Sequence, residues 1–177
     1  MARYNPYADF SDCRRYRYEL GGELGIPQPL LDTVKQVRLI VWIMLNPSVA
    51  DETVDDPTIR AIVGFSERWG YNRLCVGNVY AWCATDPQAM FKAKRQGTDV
   101  VGPHNDDWLR SMVQRARDSD GQVVGAWGIH AEPARVREVV AITGPVKCLG
   151  TNKNGSPVHP LYRKQDSILI PWAGGVE

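Results

Sequence analysis

From Val37 to Leu45 the chain is apolar at every position except Arg38, and it is rich in strand-forming residues. A run of this length without alternation predicts a strand buried on both faces, as in a parallel sheet covered by helices. It stops at Asn46-Pro47-Ser48, where Pro47 cannot donate to a ladder. The pattern then takes on a helical period. Ile59, Ile62, Val63 and Trp69 form one stripe. Asp56 serves as N-cap, Pro57 fits the first turn, and Gly70 ends the helix. Leu74 to Val79 predicts a second buried strand, with Asn78 near its end.

The same alternation of periods continues. Thr85-Asp86-Pro87 opens a helix reaching about Lys94. Asn105 or Asp106 opens another, with Trp108, Leu109, Met112, Val113 and Ala116 at helical spacing. Val123 to Trp127 reads as a third strand ending at Gly128. Pro133 starts a helix through Val136, Val139 and Val140 that Gly144-Pro145 stops. Val146 to Leu149 is a fourth strand, residues 150–159 are loop, and Ile168 to Ile170 is a short final strand. Residues 1–35 are polar and irregular, except that Tyr16, Tyr18 and Leu20 alternate with Arg15, Arg17 and Glu19. That stretch predicts a strand with Arg15, Arg17 and Glu19 on one face, closed by Gly21-Gly22. The N-terminal segment is open to two roles, covering the sheet edge or forming part of a substrate groove.

Strands alternating with helices predict right-handed crossovers and an α/β fold. The expectation is a three-layer α/β/α domain with a mostly parallel, four-stranded central sheet. A chain of 177 residues fits one such domain, with residues 1–35 as an N-terminal extension. No apolar run approaches the roughly 20 residues a spanning helix requires, and the N-terminus lacks the apolar core of a secretion signal. The expected location is the cytoplasm, without a membrane partner. Cys13, Cys75, Cys83 and Cys148 are scattered, with no metal-binding spacing, so they read as structural thiols. No metal, other cofactor or obligate protein partner is implied. The formal net charge of +1 argues against a broad phosphate-gripping surface. It leaves room for a local basic face from Arg14, Arg15 and Arg17 or from Lys92, Lys94 and Arg95.

Ligands in open α/β sheets bind beyond the carboxyl ends of strands. There this chain carries Asn46, Asn78, Gly128 with His130, and the loop leading to His159. Each is ordinary alone: Asn-Pro-Ser is a common turn, and a strand-end Asn often satisfies nearby backbone. Their succession on consecutive strand ends gives them weight.

In that order the chain resembles the uracil-DNA glycosylase superfamily. Asn46-Pro47-Ser48 is similar to the Asn-Pro-Gly-like turn after the first buried strand, with Ser in place of Gly. Cys75-Val-Gly-Asn78-Val looks like the strand whose Asn reads the pyrimidine edge. Trp127-Gly128-Ile-His130-Ala131 is similar to the Trp-Gly-x-His-Ala turn. His159-Pro160-Leu161-Tyr162 looks like a shortened His-Pro-Ser-Pro-Leu loop. The resemblance runs from about Val37 to about Arg163. The whole chain also looks like a bacterial and phage family of unknown function, through Met44 to Ser48, Asp55 to Ile59, Ala84 to Pro87, Val101 to Pro103 and His159 to Tyr162.

The superfamily resemblance implies a DNA glycosylase-like enzyme that cleaves the N-glycosidic bond of a pyrimidine-like base, modified or not. Its partner would be DNA or a nucleotide. His159 would donate a hydrogen bond to the departing base, and Asn46 would position water. Asp51, Asp55 or Asp56 would activate that water or stabilise the cationic sugar. Asn78, Tyr80, Pro47 and Ser48 would hold the base, while Leu161, Tyr162 and Arg163 would meet DNA. Two departures stand against a full transfer. The Asp-Pro-Tyr-His turn of the fastest uracil glycosylases is absent, and so is the early Cys-x-x-Cys of the iron–sulfur branch. Two other readings remain open at this point: a non-catalytic modified-base or nucleotide-binding module, and an enzyme acting on free nucleotides.

Overall fold

The computed structural model describes residues 4–25, 36–48, 56–161 and 163–174. Among them are strands β1 (Tyr4–Phe10), β2 (Arg17–Leu24), β3 (Leu39–Met44), β4 (Arg73–Asn78), β5 (Gln122–Gly125), β6 (Lys147–Cys148) and β7 (Ile170–Pro171). The helices are α1 (Pro57–Arg68), α2 (Pro87–Arg95), α3 (Asn105–Asp118) and α4 (Pro133–Thr143), with a 3-10 turn at Gly128–His130. The protein is α/β.

The lack of alternation in β3 has its expected cause. Leu39, Val41 and Ile43 join one core with Leu109 and Met112 of α3 and Val139 of α4. Ile40, Trp42 and Met44 join a second with Ile59, Ile62 and Phe65 of α1. Helices thus cover both faces of the strand, and both sets of side chains leave water. The Trp42 indole donates to Ser66 Oγ at 3.1 Å, which in turn donates to the Ile62 carbonyl at 2.6 Å. The helix starts follow local chemistry. The carboxylate of Asp56 accepts from the Thr58 amide at 2.6 Å, and that of Asp86 from the Gln88 amide at 2.6 Å.

The sheet order is β1-β2-β4-β3-β5-β6-β7. This corrects the expected four-stranded, mostly parallel sheet. The four anticipated strands are present as the parallel centre, β4-β3-β5-β6. That centre is extended by an antiparallel β1-β2 hairpin on one side and by antiparallel β7 on the other. Tyr4–Phe10 gives no strand signal in the sequence because its apolar residues Tyr4, Tyr7, Ala8 and Phe10 do not alternate strictly and it contains Pro6. At an edge, a strand tolerates a missing donor and a mixed face. Nor do Gly21 and Gly22 end β2, which continues to Leu24. A Cβ on Gly21 would come within 2.6 Å of the Tyr7 ring, so glycine there admits the neighbouring strand's side chain.

β2 also breaks the expected alternation. Phe10 pairs with Arg17 and Asp9 with Glu19, leaving Tyr18 as the extra residue of a β-bulge. A bulge re-aims the side chains around it. Tyr18 stacks on Trp108 and Glu19 pairs with Arg115, both on α3. Leu20 packs into the α1-side core, and Arg17 faces the space beside Asp56 and Ile59. Two charges of the predicted polar face are buried: Arg17 is 6% exposed and Glu19 is 1% exposed.

Among the described residues, no helix is long and apolar enough to cross a membrane.

Candidate functional site

The chain leaves β3 for β4 on one side and later enters β5 on the other, so a crevice opens between the carboxyl ends of β3 and β5. A cleft of about 550 Å³ lies there, within the roughly 300–1,000 Å³ typical of small-molecule sites. Asn46 follows β3 at its wall, and Asn78 closes β4. Trp127, Gly128 and His130 enter after β5, with Gly128 at φ 70°, a left-handed turn that glycine accommodates without strain. β2 runs antiparallel to β4, with Leu20 opposite Val76. Its first residue, Arg17, therefore reaches the same end of the sheet and lines the cleft.

Asn78 is 2% exposed, and its amide nitrogen has no hydrogen-bond partner among the described residues. Its backbone carbonyl is held by Asn105 Nδ2 at 3.0 Å, which fixes the strand end and leaves the side chain facing the cleft. A buried, unpaired amide costs on the order of 1–3 kcal/mol, so a ligand that supplies an acceptor recovers that cost. Arg17 is in the same position: its Nε is buried and unpartnered among the described residues. Burial lowers the Arg17 pKa, against the opposing influence of Cys83, Asp56 and Tyr4. An arginine nevertheless stays charged in a protein.

His159 sits at the exposed rim. Its Nδ1 accepts from the Leu161 amide at 3.2 Å, so the neutral ring carries its proton on Nε2. Partial desolvation by the surrounding chain lowers its pKa, with Asp56 acting in the opposite direction. The ring is thereby kept as a neutral donor near pH 7. Asn46 commits its amide protons to the carbonyls of Pro47 at 3.0 Å and Ala84 at 3.1 Å. That orients its Oδ1 as the atom able to accept from a ligand or water. Asp56 lines the cleft while capping α1. It is the one carboxylate among the described lining residues, set against Arg17 and Arg163.

Of the residues anticipated for this site, Asn46, Ser48, Asn78, His159, Leu161 and Arg163 come together around the cleft. Tyr80 does not. Its ring is buried in the α3–α4 core, its hydroxyl donates to Glu132 at 3.1 Å, and it is absent from the cleft wall. The cause is the turn after β4: Val79 and Tyr80 donate to the Met44 and Leu45 carbonyls, which draws Tyr80 inward. Pro47 is buried and contributes its carbonyl, as acceptor for Asn46 and for the Ala84 amide. Asp51, Asp55 and Tyr162 lie outside the described residues.

A family model described as "Protein of unknown function (DUF1643)" matches residues 27–161. The chain belongs to the DUF1643 family. No curated protein and no solved structure matches the chain. The DUF1643 match takes in Asn46, Asn78 and His159, whereas Arg17 precedes it. Sequence reasoning offered Arg17 only as one charge of a local basic face with Arg14 and Arg15, apart from the strand-end residues, and it weighed Asp56 first as a cap. Only the bulge and the antiparallel register bring Arg17 to the DUF1643 cleft, and no local signal in the sequence marks either. Among the described residues no cluster of His, Cys, Asp or Glu could hold a metal ion, and the four cysteines are unpaired.

Proposed function

We propose that this protein is a uracil-DNA glycosylase-like enzyme that cleaves the N-glycosidic bond of a pyrimidine-like base. The observation that carries the reading is the buried Asn78 amide, without a partner among the described residues and facing a cleft that also holds a neutral His159 with its proton on Nε2. A pyrimidine presents an amide-like edge of alternating acceptor and donor. An asparagine side chain offers the complementary pair.

Breaking the glycosidic bond sends its electron pair to the base nitrogen, and negative charge spreads from there onto the carbonyl oxygens of the base. The Nε2–H of His159 meets that charge without first losing or gaining a proton. A preorganised donor of this kind contributes roughly 3 kcal/mol to transition-state stabilisation. As the bond breaks, the sugar gains cationic character, and the Asp56 carboxylate lies in the same cleft to interact with it. Water adds to the anomeric carbon, with Asn46 Oδ1 as the acceptor that orients it, and its proton leaves to the base or to solvent. Asp56 also caps α1, which favours a second reading in which the pocket binds a base without turnover.

The test is release of free base from oligonucleotides carrying uracil, hydroxymethyluracil or mismatched thymine, followed by mass spectrometry. Release by the wild type, falling about 10²–10³-fold in His159→Ala, is the expected result. Binding of uncleaved substrate with no base released would replace the enzyme by a base-binding module.

A further inference from the structure

We propose that Arg17 is the phosphate-binding group of this cleft, so that its ligand is a phosphate-bearing nucleotide rather than a free base or nucleoside. The proposal rests on the base-binding reading for the other half of the ligand. It rests on a separate observation for the phosphate.

That observation is a buried cation with no ion-pair partner among the described residues. Arg17 is 94% removed from solvent, its Nε lacks any partner among the described residues, and it lines the cleft. Isolated buried charges are costly and are found paired, or facing a ligand that pairs them. Among the described residues no carboxylate forms an ion pair with Arg17. Asp56 attracts it electrostatically without forming an ion pair, while its Oδ1 caps α1 through the Thr58 amide at 2.6 Å. The guanidinium offers a planar fork of donors, the geometry that phosphate oxygens accept in pairs. Its backbone is held as well: the Arg17 amide donates to the Ala81 carbonyl at 3.0 Å, and the bulge at Tyr18 fixes which face it presents. The cation is thus preorganised, and little ordering cost falls on ligand binding. Arg163 at the mouth adds a second positive charge.

Asn78 and Arg17 divide the recognition. Asn78 meets the edge of the base, and Arg17 meets the phosphate attached to its sugar. That phosphate is either the monoester of a free nucleotide or a diester in a strand. The chemistry at Arg17 is the same for both.

Calorimetric titration separates these cases. Wild type, Arg17→Met and Arg17→Lys proteins would be titrated with inorganic phosphate, deoxyuridine, deoxyuridine monophosphate and a short single-stranded oligonucleotide containing uracil. The proposal expects the monophosphate or the oligonucleotide to bind wild type at least about tenfold more tightly than deoxyuridine. That advantage vanishes in Arg17→Met and returns in part with Arg17→Lys. Whichever of the two phosphate probes keeps the advantage identifies the source. Equal affinity for deoxyuridine and its monophosphate, unchanged by Arg17→Met, overturns the proposal while leaving the base pocket standing. Arg17-dependent binding of inorganic phosphate with no preference for a base-bearing probe supports the phosphate site and removes the base reading. Failure of every phosphate-bearing probe to bind wild type overturns the proposal outright. If Arg17→Met does not fold, the wild-type comparison of deoxyuridine with its monophosphate and the Arg17→Lys titration decide.

Discussion

Arg17 and Glu19 belong to the same strand, and both are almost completely buried, yet their surroundings differ in kind. Glu19 is fully supplied. The Tyr7 hydroxyl and the Cys75 thiol donate to it, the latter at 2.9 Å, and Arg115 pairs with its second oxygen. Burial, reinforced by Glu19, pushes the Cys75 thiol up to about 12, so it remains a proton donor to the carboxylate. Arg17 has an Nε without a partner among the described residues, and a cleft in front of it. A buried charge with all its partners holds the hairpin to the sheet. One without them points to something that arrives from outside.

The sharpest test of that contrast is stability. Glu19→Ala should lose about 2–3 kcal/mol, because it leaves the Tyr7 and Cys75 donors without their acceptor, while Arg115, 42% exposed, turns to water. Arg17→Met should be neutral or stabilising without ligand, since it removes a buried cation that has no ion-pair partner among the described residues. Urea unfolding midpoints measure both. Equal destabilisation by the two substitutions would break the comparison.

A smaller effect separates the two buried asparagines. Asn105→Ala should cost on the order of 1–3 kcal/mol, because its amide holds the Asn78 and Val79 carbonyls. Asn78→Ala gives up no hydrogen bond of its amide nitrogen to the described residues, and its cost should stay under about 1 kcal/mol. The same unfolding series checks the pair.

Asp56→Ala should cost about 1 kcal/mol through the lost cap, and Asp56→Asn should restore most of it. Both should lower the His159 pKa further, because each removes the charge that raises it. Imidazole proton shifts followed against pH read this directly. An unmoved His159 titration would disconnect Asp56 from the cleft.

The smallest effect is the pH dependence that His159 itself adds. Its folded pKa lies below the ordinary 6.5, so as pH falls the unfolded chain takes up this proton first. His159 therefore reduces stability as pH drops through about 6.5, until the lowered folded pKa is passed and the loss levels off. His159→Gln should remove that part of the slope. Melting temperatures of both proteins across this range would show it.

Much of the architecture is legible in the order of residues alone. Uninterrupted apolar runs mark β3 and β4, helical stripes mark α1, α3 and α4, and Asp56-Pro57 and Asp86-Pro87 mark the starts of α1 and α2. These signals are local: each depends on a side chain's own burial, or on a hydrogen bond to a residue two or three positions away. The strand-end rule then gathers Asn46, Asn78 and His159 from separate parts of the chain. It fails for Tyr80, because a strand-end position does not say which way a turn folds its side chains.

By itself the sequence determined the α/β character, the parallel centre of the sheet and the strand ends where polar residues collect. Hydrophobic period and helix capping are written in neighbouring residues. Only the tertiary structure decided that a polar N-terminal segment completes the sheet as a hairpin. It alone decided that one extra residue at Tyr18 turns Arg17 into the cleft. Pairing register depends on strands far apart in sequence, and a shift of one residue exchanges the two faces of a strand.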